Sequence, residues 1–293
     1  MHPHDIHAGG VETHLPPDFL WPDRRRLAVF FRVAFEWWSD GKWPGVGPMG
    51  NPLAGGTVDI NALGFAEYGH RRGIQRALDA LQRHQVRATV LVSGIMAERH
   101  PEIVRDIAQA GHELVAHSYA MDIIPVYLDE AREVDNIRRT TDLIANVTGA
   151  RPEGWISPRG TPSQRTPRLL AAEGYTWHGD TLNDDLPYKV TFEDGQSIVA
   201  FPGNMEVNDL PVYMRYGNSP RQMLELYEDW FEYARDVEKG PARLDPTIHS
   251  HVFGRPIGMA IFEKMMARAQ SSELVWTGTR GEALAHIRQL GIF

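Results

Sequence analysis

Side chains suited to acid–base chemistry stand at the ends of several apolar runs in this sequence. Glu36 follows the run "RRLAVFFRVAF", His117 follows "GHELVA", and His249 and His251 lie within "TIHSH". Carboxylates and imidazoles take up and release protons when their surroundings bring their pKa values toward the working pH, so they serve as general bases and acids. The residue types therefore indicate a site that moves protons.

The spacing after His117 raises the question of a metal. A second histidine four residues after the first, at the end of a buried strand, would hold a divalent ion, but here that position is Met121. Zinc sites need three or four protein ligands, and a thioether is a poor one. Two interpretations follow: a metal site that has lost a ligand, or a site that works without metal.

Composition narrows the class of protein. The chain has 293 residues, 42% of them apolar and 23% charged, with a net charge of -8 and no cysteine. This balance is typical of a globular enzyme, and the negative charge argues against partners that need a basic face, namely nucleic acid and anionic membranes. The lack of cysteine excludes disulfides, thiolate zinc sites and cysteine nucleophiles, and is consistent with a cytosolic enzyme.

The N-terminal stretch "MHPHDIHAGGVETHLPPDF" has no apolar segment of the kind found in secretory signals. No run of about eighteen apolar residues predicts a membrane span. We therefore expect a soluble, cytoplasmic protein. The histidines of this stretch resemble a metal-binding cluster, but a mobile polar arm over residues 1–24 is the preferred interpretation.

Strand and helix patterns alternate from residue 25 to residue 293 without a linker or a repeat. Examples are the strand-like "RATVLVSG", followed by the amphipathic helix "HPEIVRDIAQAGH" with proline near its start and glycine at its end. Such alternation predicts an α/β fold with a parallel sheet, and about seven units in this length favour a barrel. In such barrels the chemistry collects at the carboxyl ends of the strands, where the polar residues named above lie.

The order of several motifs resembles the NodB-type polysaccharide deacetylase superfamily, and most closely its branch of allantoinase-like proteins and cyclic imide hydrolases. The motifs are "YGHRRGIQRALDALQRHQVRATVLVSG", "AERHPEIVRDIAQAGHELVAHS", "NDDLPY" and "HSHVFGRP", and the match covers residues 25–290. The resemblance implies a single-domain, distorted (β/α)7 barrel over residues 25–293 and hydrolysis of an amide C–N bond. It also implies a homo-oligomer.

Metal-dependent members of this superfamily carry an Asp-Asp pair after the first strand and a His-x-x-x-His run. By resemblance, the pair falls on Glu36 and Trp37, and the run falls on His117 and Met121. Only one of the three ligands is kept, so the resemblance implies a site without a cofactor. The alternative is zinc held by a rearranged site that uses His251, His178 or Asp184.

Roles for the first three residues follow from the resemblance and from chemistry. Glu36 occupies the position of the family's base, and its aromatic neighbours should desolvate it and raise its pKa. His249 matches the general acid that protonates the leaving nitrogen, with His251 as its partner or as the acid itself. His117 orients the substrate or Glu36, or is a hydrogen-bonded core histidine.

A second set of residues is expected to contact the substrate. Arg159 in "SPRG" would hold a carbonyl or carboxylate, or else form a structural ion pair. The other candidates are Asp184, Asp185, Asn204, His251, Trp37 and Met121. For the two aspartates the alternative is turn chemistry, and for Trp37 and Met121 it is core packing.

These expectations combine into a hydrolase that opens a small cyclic imide to a half-amide without metal. An imide carbonyl is more electrophilic than a sugar N-acetyl group, so an aligned water, a base and hydrogen bonds to the oxyanion can replace the Lewis acid. The rival hypotheses are an allantoinase-type ureide hydrolase, a metal-dependent polysaccharide or peptidoglycan N-deacetylase, and an inactive barrel that binds a small ligand.

Overall fold

The expected alternation of strands and helices is present in the computed structural model, which describes residues 7, 9–43, 53–54 and 57–293. The strands are β1 (Val11–His14), β2 (Leu27–Val29), β3 (Arg32–Phe35), β4 (Thr89–Val92), β5 (Glu113–Ala116), β6 (Gly154–Trp155), β7 (Trp177–His178), β8 (Tyr188–Thr191), β9 (Ser197–Ala200), β10 (Ala242–Leu244), β11 (Thr247–His249) and β12 (Val275–Thr277). The helices are α1 (Ile60–Tyr68), α2 (Ile74–Arg83), α3 (Gly94–Arg99), α4 (Pro101–Gln109), α5 (Glu130–Thr148), α6 (Thr166–Ala172), α7 (Pro220–Asp236), α8 (Pro256–Gln270) and α9 (Arg280–Gln289).

The strands form one large sheet and one small sheet that share two interrupted strands. The large sheet has the order β1-β8-β9-β7-β6-β5-β4-β3-β11, and the small one has the order β10-β2-β12. Pairing is parallel except where β8 meets β1 and β9. The pairs β2/β3 and β10/β11 are each a single strand with a short break, because Phe30 N and Arg32 N still donate to Leu244 O and Pro246 O across it.

The barrel wall between β9 and β11 is completed by a loop instead of a strand. Thr247 N donates to Val207 O at 2.9 Å, and Asn208 forms an isolated parallel bridge with Thr247. The Asn204 Oδ1 atom accepts from Asp245 N at 3.2 Å. This irregular seam and the interrupted strands give a distorted barrel, and the predicted fold class is confirmed.

Two apolar clusters hold the wall in place. The outer one lies between the strands and the helices, and the inner one fills the barrel around Phe30, Leu91, Trp177 and Phe201. Gly154 is required by this inner packing, because a Cβ there would lie 2.2 Å from the Trp177 ring. The continuous apolar runs of the sequence are thus explained by strands buried on both faces.

A layer of buried charge lies inside the barrel, nearer the amino ends of the strands. Asp245 pairs with Arg243 and with Arg280, the latter at 2.9 Å, while Arg32 Nε donates to Thr247 Oγ1 at 2.8 Å. The two arginines that pair with Asp245 also donate to the carbonyl oxygens of residues 201 and 202 in the seam. The arginines therefore satisfy backbone groups that a missing strand leaves without partners.

The N-terminal segment packs against the barrel, so the expectation of a mobile arm is wrong for residues 9–24. β1 pairs with β8 in antiparallel register, and Leu15, Phe19 and Trp21 are buried in the inner cluster. His7 is also buried, with its Nε2 atom 2.7 Å from the Tyr188 hydroxyl. Burial of three large apolar side chains explains why this polar-looking segment docks. The first two histidines of the segment, His2 and His4, lie outside the described residues.

Among the described residues, every helix is too short or too polar to cross a membrane.

Candidate active site

Glu36, His117 and His249 meet at the carboxyl ends of β3, β5 and β11, which lie in the order β5-β4-β3-β11 in the large sheet. Glu36 follows β3, His117 follows β5, and His249 ends β11, where it is in register with Ala34. Side chains alternate along a strand, so Glu36 points into the barrel on the same face as Ala34. Its carboxylate lies between the two imidazoles: Oε2 is 3.5 Å from His117 Nε2, and Oε1 is 3.9 Å from His249 Nε2.

The charge of Glu36 differs from the sequence-based expectation. Burial raises its pKa, as expected, but three nearby imidazoles, His249 first and then His117 and His251, together outweigh that effect. The pKa of Glu36 falls to about 2, so the expectation of a raised pKa is wrong. The aromatic neighbours were visible in the sequence, whereas the three imidazoles are brought in by the fold.

Asp209 is a site residue that the sequence analysis missed. Its Oδ1 atom accepts from His249 Nδ1 at 2.6 Å, and its Oδ2 atom accepts from the backbone N–H groups of His249 and Phe253 at 2.8 and 3.1 Å. Asp209 thereby fixes both the ring and the backbone of His249. One signal was available: Asp209 lies in "NDLPVY", which resembles the "NDDLPY" motif that was singled out instead.

Asp209 also decides the protonation state of His249. Burial lowers the pKa of this imidazole. The Asp209 carboxylate, and to a smaller extent the Glu36 carboxylate, raise it by more than burial lowers it, and the resulting pKa is about 9. At neutral pH the site therefore contains an imidazolium opposite a carboxylate. Since Nδ1 is occupied by Asp209, the second ring proton of His249, on Nε2, is directed toward Glu36.

The loop after β5 holds His117 rigidly. His117 Nδ1 donates to the Ile156 carbonyl oxygen at 2.5 Å, which fixes the ring with its Nε2 atom facing Glu36. Ser118 has a positive φ of 55°, which turns the chain away from the sheet. Asn136 of α5 stabilises that turn through Ser118 Oγ and Tyr119 N. Strain at a functional position is thus supported by hydrogen bonds from a helix.

His251 is neutral at the same pH at which His249 is charged. It is buried, and its ring lies 5.8 Å from the His249 ring and 5.5 Å from that of Trp38. Burial is the main reason that its pKa falls to about 4, although Glu36 opposes the shift. The difference between the two histidines favours His249 as the proton donor and His251 as an uncharged wall residue.

By the resemblance described in the sequence analysis, Trp37 and Met121 stand at the positions of two metal ligands. Both side chains are buried, and Met121 N donates to Trp37 O at 2.9 Å, which joins their two loops. The Trp37 ring packs edge-on against Trp38 and His70. Trp37, Trp38 and Met121 all belong to the outer apolar cluster, which agrees with core packing, the alternative considered for Trp37 and Met121.

Arg159 stands on the loop after β6, exposed to solvent and with a φ of 59°. It has no ion pair or hydrogen bond with any other described residue, so the structural ion pair considered for it is absent from that part of the chain. A left-handed arginine without a partner is free to meet an anionic or carbonyl group of a substrate.

The three polar candidates from the other loops are engaged elsewhere or exposed. Asp184 Oδ1 accepts from Leu186 N in a turn, and Oδ2 lies 3.5 Å from His14 Nδ1 of the N-terminal segment. Asn204 serves the seam of the barrel, and Asp185 is exposed. The structure therefore groups Glu36 with the histidines and not with these residues.

The side chains present do not fit the zinc ion of the metal-dependent relatives. Glu36 and His117 are the two facing donors, and the described residues contain no group of three or more His, Asp or Glu side chains arranged to hold a metal. A rearranged site with His178 is also not assembled, because that ring contacts His7 and accepts from Asp180 N at 3.4 Å.

Comparisons with known proteins agree with this architecture. The sequence model described as polysaccharide deacetylase matches residues 59–178. The chain is 26% identical to a putative polysaccharide deacetylase of Schizosaccharomyces pombe, with 89% of each chain covered. It is similar in structure to Puue allantoinase, with a TM-score of 0.86, 26% identity and coverage of 95% and 96% of the two chains. It is also similar to a probable polysaccharide deacetylase from Pseudomonas aeruginosa PAO1, with a TM-score of 0.85, 27% identity and the same coverage.

Proposed function

We propose that this chain, which carries a polysaccharide deacetylase family domain and is a hydrolase of amide C–N bonds, opens the ring of a cyclic imide without a metal ion. One observation carries the proposal. The Glu36 carboxylate lies between His117 and a His249 ring that Asp209 keeps protonated, and the described residues contain no group of three side chains that could hold a metal ion. The site thus contains a proton acceptor and a proton donor, but too few ligands for zinc.

The proposed reaction begins with a water molecule bound to the Oε2 atom of Glu36, which makes no hydrogen bond with the described residues. The water oxygen bonds to the imide carbonyl carbon, and its proton passes to the Glu36 carboxylate. The C–N bond of the ring then breaks, and the nitrogen takes the Nε2 proton of His249. The product is a carboxylic acid joined to a primary amide, and the proton on Glu36 returns His249 to its starting state.

The coupling between Glu36 and His249 assists the second step. The charge of Glu36 is one of the causes that raise the pKa of His249. When Glu36 accepts the proton of the water, that charge disappears, and His249 becomes a stronger acid as the ring nitrogen needs its proton. A carboxylate with a pKa of about 2 is a weak base, which suits an activated imide carbonyl better than an ordinary amide.

The walls of the site support a flat, weakly polar ring. Trp38, whose ring lies edge-on to His251 at 5.5 Å, supplies apolar surface, and the neutral His251 ring adds an uncharged face. Flat rings gain from stacking and edge contacts with such side chains. Arg159 at the mouth would bind a carbonyl or carboxylate at the outer edge of the substrate.

A substrate panel tests the reaction. Succinimide, maleimide, phthalimide, hydantoin, allantoin and N-acetylglucosamine oligomers are incubated with the pure protein, and ring opening or acetate release is measured. We expect ring opening of an imide and no release of acetate. Acetate release from the sugar oligomers without imide opening would contradict the proposal.

Chelation tests the absence of a metal. The protein is treated with EDTA and dialysed, its metal content is determined by elemental analysis, and imide hydrolysis is compared before and after. We expect the rate to change less than about twofold, because two donors bind zinc too weakly to retain it. Loss of activity that zinc restores would show that the metal-free proposal is wrong.

An allantoinase-type activity is the second candidate, and the likeness to Puue allantoinase favours it. Allantoin carries a ureide side chain and a more polar ring than a simple imide. The apolar surface of Trp38 beside the neutral His251 ring favours the imide. The substrate panel separates the two activities: an allantoinase would hydrolyse allantoin faster than any imide, and an imide hydrolase would show the opposite order.

A further inference from the structure

One peptide group, between Ile156 and Ser157, connects His117 to a buried carboxylate. Its carbonyl oxygen accepts from His117 Nδ1 at 2.5 Å. Its N–H group, on Ser157, donates to Asp180 Oδ1 at 2.6 Å. A continuous path of hydrogen bonds therefore runs from Asp180 through the peptide to the imidazole that faces Glu36.

The side chains of His117 and Asp180 make the hydrogen bonds that backbone groups of the two neighbouring strands would make in a regular sheet. Up to this peptide the parallel ladder is regular, with Ile156 N donating to Ala116 O at 3.0 Å and Gly179 N donating to Trp155 O at 2.8 Å. In a continued ladder the next partners would be backbone groups of the neighbouring strands. The left-handed Ser118 turns the first neighbouring strand away, so a side chain takes over on each flank.

The carboxylate of Asp180 is held in a fixed orientation. Its second oxygen, Oδ2, accepts from Ser157 Oγ at 2.7 Å, and that hydroxyl in turn accepts from Trp155 Nε1 at 3.0 Å. Because both oxygens are bound by the same residue, the carboxylate cannot rotate away from the peptide. An aspartate in a turn or at a helix N-terminus uses one oxygen in this way, whereas Asp180 uses both.

A charged group on one side of a peptide changes the other side. A carboxylate that accepts from the N–H draws the peptide electrons toward the carbonyl oxygen, which becomes a better hydrogen-bond acceptor. A better acceptor at Nδ1 increases the electron density at Nε2 of the same imidazole. Carboxylate–histidine pairs produce this effect by direct contact, whereas here a peptide lies between the partners.

We propose that Asp180 is a positioning residue that orients and polarises His117 through the Ile156–Ser157 peptide. The proposal rests on the proposed function, in which Glu36 accepts the proton of the water, and His117 Nε2 lies 3.5 Å from Glu36 Oε2. Burial of Asp180 raises its pKa to about 6, against the opposing effect of its hydrogen bonds with Ser157. Both of its oxygens accept hydrogen bonds from Ser157, which is the pattern of an ionised carboxylate, so Asp180 carries the charge that the polarising role requires at pH values above about 6.

The variant Asp180→Asn tests the proposal, since it keeps an oxygen for Ser157 N but removes the charge. We expect kcat for imide hydrolysis to fall by about 10- to 100-fold, as for loss of a hydrogen bond to a charged group, with KM changed less than about threefold. The ¹H resonance of His117 Nδ1–H should move upfield, because its acceptor is weakened. Ser157→Ala is the comparison: it removes the hydroxyl but keeps the peptide N–H, and its effect on both readouts should be smaller.

The resonance separates the two proposals, because it is recorded without substrate. If no imide is hydrolysed by the natural protein while the resonance still shifts in Asp180→Asn, the reaction is wrong and the connection to His117 stands. An unmoved resonance in a folded Asp180→Asn protein overturns the connection. If that variant does not fold, Asp180→Glu retains the charge at a displaced position: a shifted resonance supports the connection, and an unchanged one overturns it.

Discussion

The barrel interior contains two layers of buried charge that differ in how they are paired. In the lower layer, Asp245 contacts Arg243 and Arg280 directly, and the arginines also bind carbonyl groups of the seam. In the upper layer, the carboxylate of Glu36 stands 3.5 Å from His117 and 3.9 Å from His249. Those separations exceed hydrogen-bond length for well-aligned groups.

This difference in pairing distinguishes a layer that stabilises the fold from a layer that can react. A buried charge that lacks a close partner is costly, so a fold that keeps one leaves it available for a reactant. Glu36 Oε2 has no partner within hydrogen-bond distance among the described atoms. In the lower layer, by contrast, Asp245 is shared between Arg243 and Arg280, and these two arginines also bind the carbonyl groups of the seam. We infer that the lower layer stabilises the fold and that the upper one performs the reaction.

The largest effect is expected for Glu36→Gln. The amide cannot accept the proton of the water, so the rate of imide hydrolysis should fall by about 100- to 10,000-fold, the usual contribution of a general base. The midpoint of thermal unfolding should change little or rise, because the variant removes a buried charge. Steady-state kinetics and a thermal unfolding scan measure the two quantities.

Glu263→Gln is the control for this variant, since Glu263 pairs with Arg83 on the outer surface. Its rate should equal that of the natural protein. A Glu36→Gln protein with more than about a tenth of the natural rate would contradict the assigned role.

The second largest effect is a loss of stability in the variant Asp245→Asn. The change leaves Arg32, Arg243 and Arg280 buried without a compensating anion, and the free energy of unfolding should fall by about 3–5 kcal/mol. Chemical denaturation measures the loss. If the two layers differ as argued, protein that remains folded should keep its kcat, because the distances around Glu36 do not depend on Asp245. An Asp245→Asn protein that keeps its stability but loses its activity would show that Asp245 contributes to the reaction and not to the fold.

The third effect is a shift in pH dependence, for Asp209→Asn. His249 acts as the acid only when protonated, so the rate of the natural protein should fall as pH rises through about 9. The variant removes the largest of the influences that raise the pKa of His249. The alkaline limb of the kcat profile should then move to lower pH by about 1–3 units. An unmoved limb would assign it to another group.

Much of the site could be predicted because local sequence patterns reveal strand ends. Glu36, His117 and His249 each follow or end an apolar strand, and carboxyl ends of parallel strands meet at one mouth. Asp209 could not be found in that way. It precedes an irregular helical turn, and the residue that it serves lies forty positions later in the chain.

The amino-acid sequence by itself determined the order of strands and helices, since apolar periodicity and turn residues act over a few positions. It also determined which positions lack metal-binding side chains, because residue type alone settles that. Tertiary structure decided the docking of the N-terminal segment, the pairing of Asp180 with His117 through one peptide, and the low pKa of Glu36. The reason is that a pKa sums the burial and charges around a group, and the histidines that act on Glu36 come from distant parts of the chain.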